Sequence, residues 1–242
     1  MNAFAESVAT AASLILDADA KLAQIVGLSL TVSGAACAIA AGLGLLLGAA
    51  LAVMQFPGRR AVLVLLNTSL ALPSVVVGLV VYLLLSRSGP LGEYGLLFTP
   101  GAMVVAQTVL VLPILVALTR QALQGAWEQQ GEQLRSLGAS RLTAGLLLLW
   151  DERLALLTVL LAGFGRAVSE VGAVMIVGGN IDGHTRVMTT AIALETSKGD
   201  LPLALALGLV LLVVVLGLNA LIALVRAWAA RAHAPVAGLA YD

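Results

Sequence analysis

Charge is the scarcest ingredient of this sequence. Only 11% of its 242 residues are Asp, Glu, Lys or Arg, against 60% hydrophobic, where a soluble domain carries about a quarter charged. A chain so poor in charge cannot present a wetted surface all round, which excludes a soluble globular domain. With a mean hydropathy of +1.05 it reads as an integral membrane protein. The 13 basic and 13 acidic residues balance, and neither a basic run nor an aromatic platform is present, so nothing points to nucleic acid as a partner. A single cysteine, Cys37, excludes an internal disulfide, and two histidines, His184 and His233, are too few for a metal-ligand cluster. Cys37 sits inside an apolar run and reads as packing.

What the chain has in quantity is long apolar runs. Residues 1–24 are only mildly apolar and carry Glu6, Asp17, Asp19 and Lys21. They lack the positive start and continuous apolar centre of a signal peptide, and read as an interfacial helix with Phe4, Val8, Ala11, Ala12 and Ile15 along one face, or as a frayed terminus. Residues 25–54 hold no charge, and about 20 residues cross a hydrocarbon core, so this is a first span. It contains Gly44 and Gly48, spaced for close helix contact within one subunit or across a dimer seam. A turn at 55–60 leads to a second span, 61–86. Pro73 lies inside it, and Asn67, Thr68 and Ser69 stand a turn earlier, where they can satisfy freed backbone groups or line a polar path. Residues 87–100 form an exposed loop. Spans three, four and five are placed at 101–119 (with Pro113), 154–177 and 203–225, and a polar tail follows from 229 to 242.

Between the third and fourth spans lies a polar island, 128–153, with Glu128, Glu132, Arg135, Arg141, Asp151, Glu152 and Arg153. Such charges stay outside the lipid core. Residues 128–137 are good helix formers and Gly138 follows where a left-handed terminal residue belongs, while Ser140 precedes a Leu- and Ala-rich run as an N-cap. The island therefore predicts a helix, a tight bend and a second helix from Arg141. The run 132–141, EQLRSLGASR, resembles the cytoplasmic "EAA" loop of binding-protein-dependent ABC importer permeases, in which a Glu is followed six residues later by a Gly. In that family the loop inserts a short coupling helix into a cleft on the ATPase. Residue by residue, the resemblance implies an ATPase-coupling role for Glu132, Arg135, Gly138, Ala139 and Ser140. The sequence departs from the family pattern at Gln133 and Leu134, where small residues are usual, and at Trp150 and Asp151, where Leu-Pro is usual.

Arg166 and Glu170 lie four apart on the fourth span, so they share a helix face and can pair; the pair reads as structural or as part of a gate. The run 165–174, GRAVSEVGAV, resembles the matching span of permeases for molybdate, sulfate and tungstate. The stretch 177–200, VGGNIDGHTRVMTTAIALETSKGD, resembles the external loop and short helix of tungstate importer permeases. Its Gly178, Gly179, Asn180, Thr185, Arg186, Thr189 and Thr190, with Ser169 and the Asn67–Ser69 cluster, are candidate path or external-loop residues: glycine amides and hydroxyls suit an oxyanion. His184 reads as a solvated loop residue.

The resemblance is detailed over 128–200 and general over 25–228. It implies an all-α membrane protein of five transmembrane helices with the type I, MetI-like permease fold. The expected partners are a second copy of the chain, a cytoplasmic ATPase dimer, an external substrate-binding protein, the lipid bilayer and an oxyanion substrate, most closely tungstate, with molybdate or sulfate the alternatives. The sequence holds no Gly-rich phosphate loop, so no cofactor is expected in this chain, ATP and Mg sitting on the partner ATPase. Arg59, Arg60, Arg120, Arg135, Arg141, Arg153, Arg226 and Arg231 flank one side of the spans, against Lys21, Arg87, Arg186 and Lys198 on the other. The positive-inside rule then puts the island and C-terminus in the cytoplasm and the N-terminus outside, in the cell's inner membrane. A membrane-embedded enzyme would need a nucleophile, a metal cluster or an acid–base pair within the spans, and a scaffold would leave the coupling loop without a purpose.

Overall fold

Asp19 starts the first long helix by accepting the Leu22 amide at 2.9 Å, and the charge-free run that follows carries that helix without interruption to Val53. The computed structural model describes residues 3–17 and 19–232, and every regular element among them is helical. In chain order these are α1 (Ala3–Leu16), α2 (Ala20–Val53), α3 (Arg59–Leu70), α4 (Ser74–Leu85), a 3-10 turn (Gly92–Tyr94), α5 (Pro100–Ser136), α6 (Arg141–Asp151), α7 (Arg153–Val168), α8 (Gly172–Gly178), α9 (Met188–Lys198) and α10 (Leu201–Ala232). Three helices, α2, α5 and α10, are long and apolar enough to cross a membrane, and two bent pairs raise the number of spans to as many as five. The protein is a multi-pass membrane protein.

Two spans differ from the sequence reading. The second span is not continuous: α3 and α4 meet at 102°. Pro73 has no amide hydrogen and pushes Leu72 out of the helical region, while the Ala71 and Leu72 amides turn back to the Thr68 and Ser69 carbonyls at 3.0 and 3.4 Å. The fourth span also breaks, α7 and α8 meeting at 57°. The helix of the third span continues without a break into the first helix of the polar island. Although Pro113 removes a rung, α5 runs for 37 residues, about 55 Å at 1.5 Å per residue, so a third or more of it projects beyond a hydrocarbon core of about 30 Å.

The packed centre is α2 against α5. A Cβ at Gly48 would lie 2.6 Å from the Thr119 Cβ, and one at Gly44 2.9 Å from the Leu115 Cβ. The Gly44 and Gly48 pair is thus used inside the chain, letting the two backbones approach. At one end Val32, Val77, Val81, Met103, Val174 and Val177 form a core that joins α2, α4, α5 and α8. At the other, Ala49, Val53, Leu123, Ala126 and Leu148 tie α6 to the ends of α2 and α5. Cys37 is buried, its thiol 3.6 Å from the Leu160 carbonyl oxygen. Helix α1 docks on protein: Ala11 is fully buried with Leu22, Ile25, Met188 and Leu207, which corrects the placement of Ala11 on a bilayer-facing stripe. The side chains of Phe4 and Ile15, and the tail from 233, lie outside the described residues.

Candidate functional site

The two broken spans meet at their breaks. Residues just past each break press together: a Cβ on Gly78 of α4 would sit 2.6 Å from the Ala173 Cα of α8, and one on Gly172 would sit 2.8 Å from Val75 Cγ2 and 2.9 Å from Ser74 Oγ. Into this junction Glu170 places a carboxylate that is 4% exposed. One oxygen accepts the Ala173 amide at 3.1 Å, capping α8, and the other accepts Arg166 Nη1 at 2.6 Å. The Glu170 carbonyl accepts the Thr189 hydroxyl at 2.7 Å, and the Ala167 carbonyl accepts Gln107 Nε2 at 3.0 Å. The expected Arg166–Glu170 pair is therefore present, with a capping duty that spacing alone did not reveal. Arg166 itself is 40% exposed. An unpaired guanidinium at mid-bilayer costs about 2.5–3.5 kcal/mol on insertion scales; the Glu170 carboxylate offsets this for Arg166, and the exposed Ser169 lies a turn on at the end of the same helix.

The loop 179–187 is held by its own polar groups. The Thr185 hydroxyl accepts the Ile181 amide at 2.9 Å and donates to the Gly178 carbonyl at 2.5 Å. Thr190 Oγ1 accepts the Val187 amide at 3.1 Å, Asn180 Nδ2 donates to the Thr190 carbonyl at 3.2 Å, and Gly179 donates its amide to the Met175 carbonyl at 3.0 Å. Arg186 is buried, with Asp182 at 2.8 Å and Glu195 at 3.9 Å; Lys198 lies 3.1 Å from Glu195. In this conformation the hydroxyls of Thr185, Thr189 and Thr190 are engaged by the protein and Arg186 is ion-paired, although the buried Arg186 Nε has no partner. His184 is exposed. Asp182 also pairs with Lys21 at 3.3 Å. Desolvation raises its carboxyl pKa, but the hydrogen bond from Lys21 and the charges of Arg186, Lys21 and Lys198 outweigh it and leave the group below the ordinary aspartate value. Met188 donates its amide to Ser29 Oγ at 2.7 Å and Gln24 donates to the Gly183 carbonyl at 3.2 Å, tying the loop to α2.

In the Asn67–Ser69 cluster two hydroxyls turn back on their own helix, Thr68 to the Val64 carbonyl at 2.9 Å and Ser69 to the Leu65 carbonyl at 2.8 Å. Asn67 instead faces α5 across a polar cavity whose wall includes Arg120, Gln121, Gln124 and Glu128.

The bend at the far end of α5 follows the sequence reading closely. Gly138 has φ +82° and donates its amide to the Arg135 carbonyl at 3.0 Å, while Ala139 donates to the Leu134 carbonyl at 3.0 Å. Ser140 caps α6 by accepting the Thr143 amide at 3.1 Å. Glu132 and Arg135 are exposed and form no ion pair among the described residues. Beside them Leu137 is 76% and Leu142 63% exposed. An apolar tip flanked by unpaired charges is a surface of the kind that meets another protein.

Two bent spans packed break to break, and one helix that runs from a span to an exposed bend, define a multi-pass helical membrane subunit. No protein-family model matches the chain. Individual proteins do. The chain is 46% identical over 205 residues to the probable anion ABC transporter permease protein of Haloferax volcanii, covering 83% of this chain and 88% of that protein. It is 43% identical over 222 residues to the tungstate uptake system permease protein TupB of Peptoclostridium acidaminophilum (92% and 97%), and 42% identical over 165 residues to TupB of Campylobacter jejuni (68% and 69%). Sulfate (CysT) and molybdenum (ModB) transport permeases match at lower identity, about a third or less. The chain belongs to the permease subunits of anion ABC transporters.

Proposed function

We propose that the chain is the membrane subunit of an ATP-driven tungstate importer. The observation that carries the substrate is the 43% identity to a tungstate uptake permease across 92% of this chain. Molybdate has nearly the same size, charge and shape, and the lower identity to the molybdenum permease ranks it second. Two copies form a homodimer of the type I, MetI-like fold in the inner membrane, on a pair of ATPase subunits, with an external binding protein delivering the anion. The 132–140 bend acts as the EAA coupling element. Glu132, Arg135, Ala139 and Ser140 contact the ATPase, Gly138 sets the angle, and Leu137 enters its cleft. Support comes from the unbroken α5, since a push at its bend is felt along a rigid rod, and from the exposed apolar tip. The exposed polar groups of Arg166 and Ser169 line the path between the two copies. The α4–α8 junction is the hinge that reshapes it, as ATP closes the ATPases and switches access from outside to inside.

The deciding assay is ATP-driven uptake into vesicles that carry the whole complex and its binding protein, offered tungstate, molybdate and sulfate. Tungstate uptake that needs both ATP and the binding protein is the expected result. Preference for sulfate, or no oxyanion uptake, would overturn the substrate.

A further inference from the structure

Among the arginines in or beside the spans, Arg166 and Arg186 are neutralised in place, by Glu170 at 2.6 Å and by Asp182 at 2.8 Å. Arg120 is not. Its Nη2 donates to Gln124 Oε1 at 2.7 Å, its Nε, like that of Arg186, is buried with no partner, and no carboxylate of the described residues lies within 4.0 Å of it. The side chain borders a cavity of about 540 Å³ between α3 and α5, whose polar wall is Asn67, Arg120, Gln121, Gln124 and Glu128. Gln124 accepts from Arg120 and donates to Glu128 Oε1 at 3.0 Å, linking the two charges. The exposed Asn67 and Gln121 side chains, which line the same cavity, make no hydrogen bond to the described residues, so their donors are free.

A planar guanidinium with unengaged N–H groups, sharing a cavity with two free amides, matches the oxygens of a tetrahedral oxyanion. Arg120 lies 20 residues into α5 from Pro100, about 30 Å along its axis and so at the inner edge of the hydrocarbon. Glu128 stands two turns farther on, about 12 Å along the axis. Its negative charge keeps the anion at the Asn67 end and limits how tightly it is held, as conduction demands.

We infer that this cavity is a low-affinity oxyanion site at the cytoplasmic mouth of the path, where tungstate pauses before release, held by Arg120 with Asn67 and Gln121. The assignment rests on the proposed tungstate reading. The purified permease–ATPase complex, without the binding protein, is equilibrated with tungstate by dialysis and the bound tungsten counted. Saturable binding, one ion per permease copy, is expected. Arg120→Gln should weaken it about tenfold or more, as loss of a charged hydrogen-bonding partner does. Gln121→Glu, which keeps Arg120 and changes an exposed side chain, should weaken it similarly by placing a carboxylate at the site, whereas Arg87→Gln on the opposite loop should leave it unchanged. No saturable binding by the unaltered complex, or unchanged binding by Gln121→Glu or by an assembled Arg120→Gln complex, overturns the site. Failure of the unaltered complex to take up tungstate with its binding protein would instead overturn the tungstate reading on which the site rests.

Discussion

At the scale of single residues, the energetics at Glu170 are asymmetric. Its carboxylate is 4% exposed while Arg166 is 40% exposed, so the two single substitutions are not equivalent. Arg166→Ala strands a buried carboxylate, which costs about 1–3 kcal/mol, less than a fully buried pair would because Arg166 is partly screened. Glu170→Gln leaves an amide oxygen to accept the Ala173 amide and frees a guanidinium that faces the proposed path, so it should cost less. The double variant should recover much of the loss of Arg166→Ala. Thermal unfolding of the solubilised complex measures all three; strictly additive losses would show that the two side chains act apart.

At the scale of elements, Gly138 is where a helix end becomes a bend. Its φ of +82° admits a β-branched side chain only with strain of about 1–3 kcal/mol, yet a Cβ there would meet nothing within 4 Å. Gly138→Val should therefore shift the bend without disturbing the core, and Glu132→Ala should remove an exposed contact. Both should assemble with the ATPase and lose most uptake while membrane insertion stays normal; full uptake by both would remove the bend from the coupling route. This bend was legible in the sequence because its signals are local: a helix-forming run, a glycine and a capping serine. The breaks were not. Hydropathy windows average across 71–73 and 169–171 and so return two whole spans, although Pro73 held the signal for the first. The continuity of α5 from the span into the island was not read, because the polar residues after Thr119 mark the exit from the membrane while remaining good helix formers. At Thr185, Thr189 and Thr190 the composition suits an anion, but only the fold tells that their hydroxyls already have partners. Arg120, which sequence alone counts merely as a flanking charge, gains its interest from the cavity that the fold places beside it.

At the scale of the whole molecule, the fold sorts its ends before any membrane is drawn. Lys21 meets Asp182 at 3.3 Å, and the Phe98 amide donates to the Val177 carbonyl at 2.9 Å, so the α1–α2 junction, the 86–100 loop and the 179–187 loop share one end. At the other, Arg141 reaches the Gln55 carbonyl at 3.4 Å, bringing the α2–α3 turn to the bend. Which end faces the cytoplasm rests on the arginines that crowd the second. Cysteine substituted for the exposed His184 should react with an impermeant thiol reagent from outside, and cysteine in place of Ser140 only from within. Cys37 stays silent in both because it is buried. Reversed labelling would put the bend out of reach of a cytoplasmic ATPase and turn the Arg120 cavity into an outer vestibule. Labelling of both positions from one side would break the span count instead, because a bent pair would then enter and leave by the same face.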